Sequence, residues 1–324
     1  MILLTGAAGF IGRHVAEALL RAGRDVIGVD NLNAYYDPAL KHARLRSIEK
    51  FRTFRFVQAD VADLQALRAA ADPRDVEIII HLAAQAGVRH SLTAPFAYEH
   101  ANMKGHLAVL EYARLAGRLR HLIYASSSSV YGERNEGPFR EDDRTDAPAS
   151  LYAASKKSCE LMSETYARLY GLPQTGLRFF TVYGPWGRPD MAAWLFAEAI
   201  LEGRPVTLYG EGRPARDFTY IGDIAPAVLM LSERPPQQAL PPHRLYNLGN
   251  SSPTSVEHLV RLLEQAIGRS AERRYEPMQP GEVAATYADI SRARADFGFQ
   301  PRTQLRDGLA HFVDWLRAYR AAPA

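Results

Sequence analysis

The sequence predicts an α/β protein, a doubly wound parallel sheet with a smaller C-terminal α/β domain. Three observations carry that expectation. Short apolar runs alternate with amphipathic stretches through the first half of the chain, a glycine-rich turn directly follows the first run, and the rhythm breaks near Thr181. Parallel strands need long crossover connections, so strand–helix alternation sustained over this length implies a sheet covered on both faces.

The elements follow in order. Ile2–Thr5, 26–29, 54–57, 77–82, 121–125 and Gln174–Phe179 read as strands. Ile78-Ile79-Ile80 is apolar enough for a strand buried on both faces. Between them, 10–22, 38–50, 63–71, 95–116 and Leu151–Tyr170 carry helical patterns. Beyond Thr181 the expected elements are a helix at 191–201, a strand at Val206–Tyr209, a helix at 223–232 and a proline-rich loop over 234–242. A strand at 245–248 and helices at 255–267 and 304–319 complete the chain. Residues 1–180, joined by parts of 211–250, are read as the first domain and 181–324 as mainly the second.

Composition narrows the function classes. The 324 residues carry 39 basic and 36 acidic side chains, a formal charge of +3. Even with a pI of 8.9, that balance gives no argument for a nucleic-acid or membrane partner. With 47% hydrophobic and 23% charged residues the chain has a core-forming composition, which excludes disorder and fibres. The single cysteine, Cys159, excludes an intramolecular disulfide. No Cys/His cluster has zinc-ligand spacing, so no metal is expected. No signal-like head and no run of about 18 apolar residues is found; the expected home is the reducing cytoplasm.

Directly after the first strand stands Gly6-Ala7-Ala8-Gly9-Phe10-Ile11-Gly12, opening a helix. Gly6 lets the chain turn, Gly9 lets backbone N–H groups approach a pyrophosphate, and Gly12 lets the helix pack close to the sheet. Asp30 ends the second strand eighteen positions after Gly12, where a carboxylate accepts from ribose hydroxyls and repels a 2′-phosphate. Asp60-Val61 and Leu82-Ala83-Ala84 follow the third and fourth strands, along the path of a dinucleotide. Together these indicate a Rossmann-type site for NAD; Arg13, next to the last glycine, pulls toward NADP but is outweighed by Asp30.

A second constellation handles protons. The fifth strand ends in Ser126-Ser127-Ser128-Ser129, and Tyr152 and Lys156 stand four apart at the start of a helix, on one face. A lysine ammonium near a phenol lowers its pKa from about 10, so the phenolate can take a proton from a substrate hydroxyl near neutrality. Ser127 is the serine best placed to bond the same substrate oxygen.

These residues resemble the extended short-chain dehydrogenase/reductases that act on nucleotide sugars, and the resemblance covers nearly the whole chain. Within that group the likeness is to UDP-glucuronate 4-epimerases, through Asp30-Asn31-Leu32-Asn33-Ala34-Tyr35-Tyr36, Gln85-Ala86-Gly87-Val88-Arg89, the segment 184–191, Arg216-Asp217-Phe218-Thr219-Tyr220 and the segment 278–283. The resemblance implies internal redox at C4 with NAD unconsumed, and it adds Asn31, Asn33 and Asn102 to the cofactor site. It also implies a hazard. A 4-keto uronate is a β-keto acid and loses CO₂ unless its carboxylate is held in an unproductive orientation.

Arg188, Thr181, Ser128 and Ser129 are the candidate carboxylate donors, an arginine fork being the best charge-assisted match. The family's decarboxylases typically carry Glu in place of Ser129, and its 4,6-dehydratases an Asp-Glu pair in place of Ser128-Ser129. At the nucleotide end the resemblance implies Arg216 on the diphosphate, Tyr209 stacked on uracil and Glu282 on a ribose. The additional arginine that many relatives have near residue 278 is missing here. Arg89 is open between phosphate, carboxylate and solvent. Cys159 and the histidines His81, His90, His100 and His106 read as packing, and Trp186 and Trp194 as either pocket or core. The apolar faces of 95–116 and 151–170 resemble the family's dimer seam, which implies a homodimer through them, while intramolecular burial would explain much of the same pattern.

Overall fold

The structure is a computed structural model and describes residues 1–134, 137–236, 238–278 and 284–322. Six strands, β1 (Ile2–Thr5), β2 (Val26–Asp30), β3 (Phe54–Gln58), β4 (Ile78–His81), β5 (His121–Ser127) and β6 (Gln174–Phe179), join His243–Leu248 in one sheet. The sheet is parallel throughout, in the order His243–Leu248, β6, β5, β4, β1, β2, β3. The predicted α/β class is what the structure shows. Because β1 lies between β2 and β4, the chain runs outward in opposite directions from it, and a crevice opens at the carboxyl ends of β1 and β4.

The period-two alternation of strand side chains divides the apolar runs between two cores. Ile2, Leu4, Ile78, Ile80 and Ile123 pack with the helices Phe10–Arg21 and Ile221–Ser232 on one face. Leu3, Ile27, Ile79 and Leu122 pack with Leu64–Ala70 and Gly105–Leu115 on the other. A third core belongs to the C-terminal elements Ala192–Glu202, Val256–Ile267 and Leu305–Ala321. Trp194 is buried there among Phe312, Trp315 and Tyr319, so of its two readings the core one holds.

Several expectations need correction. The strand read at 245–248 starts at His243 and extends the main sheet beside β6. The single helix read at 95–116 contains a π-helical turn, Glu99–Lys104, between Pro95–Tyr98 and Gly105–Leu115. Apolar periodicity is too coarse to register one extra residue per turn. The strands Thr181–Tyr183, Ala215–Tyr220 and Pro253–Ser255 and the helix Ser291–Phe297 carry no pattern that the sequence reading picked out.

Candidate functional site

The glycine turn is built by backbone proximity. The N–H groups of Gly6 and Ala7 both donate to the Val29 carbonyl, at 2.7 and 3.2 Å, and Gly6 has φ +74°, open to glycine. A Cβ on Gly12 would lie 1.9 Å from the Gly6 carbonyl oxygen. Turn and helix therefore touch directly, leaving a cradle of backbone at a helix N-terminus, a form that fits the diphosphate of a dinucleotide. Gly12→Ala is expected to spread this contact at a cost of about 1–3 kcal/mol. Fluorescence titration should show NAD affinity reduced about tenfold or more; unchanged affinity would remove the cradle from the site.

Asp30 is buried at the mouth of the crevice. Its Oδ2 accepts from Ala8 N at 3.1 Å and its Oδ1 from Leu32 N at 2.9 Å, so it also ties the turn to β2. The cation beside it is Lys41, buried, donating to Asn33 Oδ1 at 2.9 Å and 4.0 Å from Asp30 Oδ1. Burial pulls the Lys41 pKa below its ordinary value. Arg13 does not face the crevice: its guanidinium bonds Ser47 and Glu17. Asp60 is held by Ala62 N and by Asn31, at 2.8 and 3.0 Å.

The proton-transfer residues come from two elements. β5 delivers Ser127, whose Oγ accepts from Ser129 N at 3.2 Å and donates to Ser129 Oγ at 3.1 Å. Helix Leu151–Tyr170 is capped by Ser150, which accepts from Ala153 N at 3.1 Å; the cap fixes Tyr152 in the first turn. The Tyr152 ring meets Tyr98 edge-on with centroids 6.0 Å apart, and Tyr98 in turn donates to the Gly87 carbonyl at 2.5 Å. Lys156 is buried and donates to the Ala125 carbonyl at 3.0 Å, pinning the helix to β5. Behind it lie His81 and His106; burial, with the charge of Lys156 added, pushes His81 down to about 3, so the imidazole is neutral.

On the facing wall Arg188 makes a two-pronged pair with Asp190, at 3.0 and 2.5 Å, and Tyr35 donates to the same carboxylate at 2.9 Å. Burial opposes the guanidinium charge, but Asp190 holds the Arg188 pKa above its ordinary value. Burial and then Asp190 push the Tyr35 phenol up to about 12. Tyr209 carries the Arg89 guanidinium 5.0 Å from its ring centroid, so one of its faces is taken. Arg216 donates to the Ala215 carbonyl at 2.9 Å on strand Ala215–Tyr220.

All predicted site residues except Asn102 and Glu282 line a single cleft of about 940 Å³. Asn102, expected at the cofactor, sits behind the wall instead. Its amide accepts from Gln85 N at 2.8 Å and donates to Gln85 O and Ser155 Oγ, both at 2.9 Å, which clamps the segment after β4 to the Tyr152 helix. Glu282 lies outside the described residues. Sequence reasoning missed Lys41 as a cleft residue, Asp190 and Tyr35 as partners of Arg188, and Arg44. A signal existed for two of them, since Lys41 and Arg44 occupy inward positions of a helix face otherwise made of Leu40, Leu45 and Ile48.

Residues 2–249 match the family described as NAD dependent epimerase/dehydratase. The chain belongs to that family. Among its epimerase/dehydratase relatives, a probable UDP-glucuronate 4-epimerase of Rhizobium meliloti (strain 1021) is 45% identical over 99% of this chain and 98% of its own length. UDP-glucuronate 4-epimerase 1 of Arabidopsis thaliana is 46% identical over 98% of this chain and 77% of its own length. The crystal structure of the UDP-glucuronic acid 4-epimerase of Bacillus cereus in complex with UDP-glucuronic acid and NAD is similar in fold. It has a TM-score of 0.90 at 34% identity, covering 98% of this chain and 99% of that one.

Proposed function

We propose that this epimerase/dehydratase family member inverts C4 of UDP-glucuronate to give UDP-galacturonate, with NAD held at the glycine turn. One observation carries the reading: a single cleft brings Tyr152, Lys156 and Ser127 together with the Arg188 guanidinium and the glycine turn. The relatives' names point the same way. The nucleotide-binding division is assigned to 1–180 with parts of 211–250, and 181–324 mainly to the sugar nucleotide.

Gly6, Gly9, Phe10, Ile11 and Gly12 hold the NAD diphosphate, Asp30, Asn31 and Asn33 the adenosine ribose end, and Asp60, Val61, Leu82, Ala83 and Ala84 the flanking walls. Bound NAD supplies an acceptor that takes a hydrogen with its electron pair from C4 and returns it. Tyr152 Oη takes the proton of the C4 hydroxyl, and Ser127 bonds the same oxygen. Lys156, fixed on the Ala125 carbonyl, places a positive charge beside the phenolate that results. Arg188, Thr181, Ser128 and Ser129 hold the carboxylate away from the geometry of decarboxylation, while Arg216, Tyr209 and Arg89 hold the UDP end.

A second reading has its own support. Asp190 already neutralises Arg188, which favours an uncharged sugar such as UDP-glucose. Incubation with each sugar nucleotide, followed by NMR of the products, separates them: galacturonate supports the main reading, and turnover of UDP-glucose alone overturns it. Arg188→Ala should lower kcat/KM for UDP-glucuronate about 10- to 100-fold, the loss of a charged hydrogen bond, with little effect on a neutral sugar. Equal losses on both substrates would assign Arg188 to structure.

The assembly proposed is a homodimer. Leu92, Phe96, Leu161 and Leu169 are 72, 82, 54 and 66% exposed on the two candidate seam helices and the short helix before them, an apolar surface that a partner copy would cover. Light scattering on a sizing column should give twice the chain mass. Among the described residues no helix is long and apolar enough to cross a membrane, and the cytoplasm is the proposed compartment.

A further inference from the structure

We infer that Arg44 is a positioning residue that fastens the glycine turn to the segment carrying Arg188, coupling dinucleotide binding to recognition of the sugar carboxylate. The inference rests on the preceding reading of those two sites. Arg44 does not line the cleft and is fully buried. Its Nη1 donates to the Ala8 carbonyl at 3.2 Å and to the Tyr36 hydroxyl at 2.5 Å. Its Nε and Nη2 donate to the Trp186 carbonyl at 3.1 and 2.7 Å, and Nη2 also reaches the Gly187 carbonyl at 2.7 Å. Every N–H of the guanidinium is thus engaged, in five bonds to four neutral oxygens.

Two features make this more than a packing arrangement. A buried charge surrounded only by neutral acceptors is costly, and an apolar side chain would fill the same space without that cost. The groups it bonds are the middle of the proposed diphosphate turn on one side and the two residues immediately before Arg188 on the other. The second feature is strain. Trp186 has φ +62°, a left-handed conformation that a residue with a large side chain keeps only when its surroundings hold it. Two of the Arg44 bonds end on its carbonyl. Its ring is held as well, against Trp315 at 5.2 Å and under the Arg13 guanidinium at 5.4 Å. A shift of the glycine turn on taking a diphosphate is therefore transmitted by a rigid fork to a strained residue next to Arg188, and the anion itself lowers the cost of the buried charge.

The test follows NAD release from the holoenzyme, by fluorescence after dilution, with no sugar nucleotide, with UDP-glucuronate and with UDP-glucose. In the native protein UDP-glucuronate should slow release about tenfold more than UDP-glucose does, within the ordinary range of coupling between sites. In Arg44→Lys, which keeps the charge and loses the fork, that ratio should collapse to within about twofold. A merely structural role would lower the melting temperature and speed release equally with either sugar, leaving the ratio intact, and that result overturns the proposal. Tyr36→Phe removes one acceptor and leaves the guanidinium in place; it should reduce the ratio at least about twofold. If Arg44→Lys yields no folded holoenzyme, an unchanged ratio in Tyr36→Phe is the overturning outcome. A native protein that forms no UDP-galacturonate refutes the underlying reading, whereas one that forms it with an unchanged ratio in the variants refutes only the coupling.

Discussion

Tyr152→Phe should lower turnover of UDP-glucuronate by about 10²–10⁴-fold, the usual worth of a positioned acid–base group. The substitution deletes one oxygen and keeps the ring, so the edge-on contact with Tyr98 survives. Lys156 remains bonded to the Ala125 carbonyl, and the Ser150 cap still starts the helix. Neither the glycine turn nor Asp30 bonds the phenol, so NAD titration of the variant should match the native protein within about twofold. Loss of activity with intact cofactor and substrate binding places the phenol in the chemical step. Native turnover would remove it, and with it the proposed mechanism.

Arg178→Ala should be the most destabilising of the single changes, by about 3 kcal/mol, because it leaves the buried Glu160 carboxylate with only Ser126 and a longer 3.4 Å contact to Lys157. Arg178 and Glu160 are both almost inaccessible, and the guanidinium grips the carboxylate with bonds of 2.8 and 2.9 Å. Its third nitrogen donates to the Tyr131 hydroxyl and the Glu141 carbonyl, each at 3.0 Å. Ser126, one residue before Ser127, donates to Glu160 at 2.7 Å, so this pair seats the Tyr152 helix on β5 and β6. Equilibrium urea unfolding measures the loss; a change under about 1 kcal/mol would contradict Arg178 as the main partner of the buried carboxylate. Replacing both partners by apolar residues of similar volume should recover much of the loss.

The same pair gives a pH dependence with a definite sign. Burial alone raises the Glu160 pKa, but Arg178 and Ser126 together hold it below the ordinary 4.5. A carboxyl depressed in the folded state binds fewer protons than in the unfolded chain. Its stabilisation is complete above about 4.5 and is lost as pH falls toward the folded-state value. Native-protein stability should therefore drop on acidification below that point, and Arg178→Ala should flatten that part of the curve.

The sequence by itself determined the parts of the protein whose chemistry is local. The glycine spacing, the aspartate ending β2 and the four-residue interval between Tyr152 and Lys156 depend on turns and helical pitch, and a short stretch of chain specifies each. The alternation of apolar runs settled the α/β class for the same reason. Only the tertiary structure decided which distant groups meet. Arg44 finds two of its acceptors 142 and 143 positions away, Tyr35 reaches Asp190 across 155, and no periodicity encodes such distances. Asn102 shows the other limit: its amide, within a π-helical turn, is spent on Gln85 and Ser155, partners that only the packing of separate segments supplies. Burial then fixes what each polar group must do, since a guanidinium or carboxylate withdrawn from water has to take whatever partners the packing of remote segments brings to it.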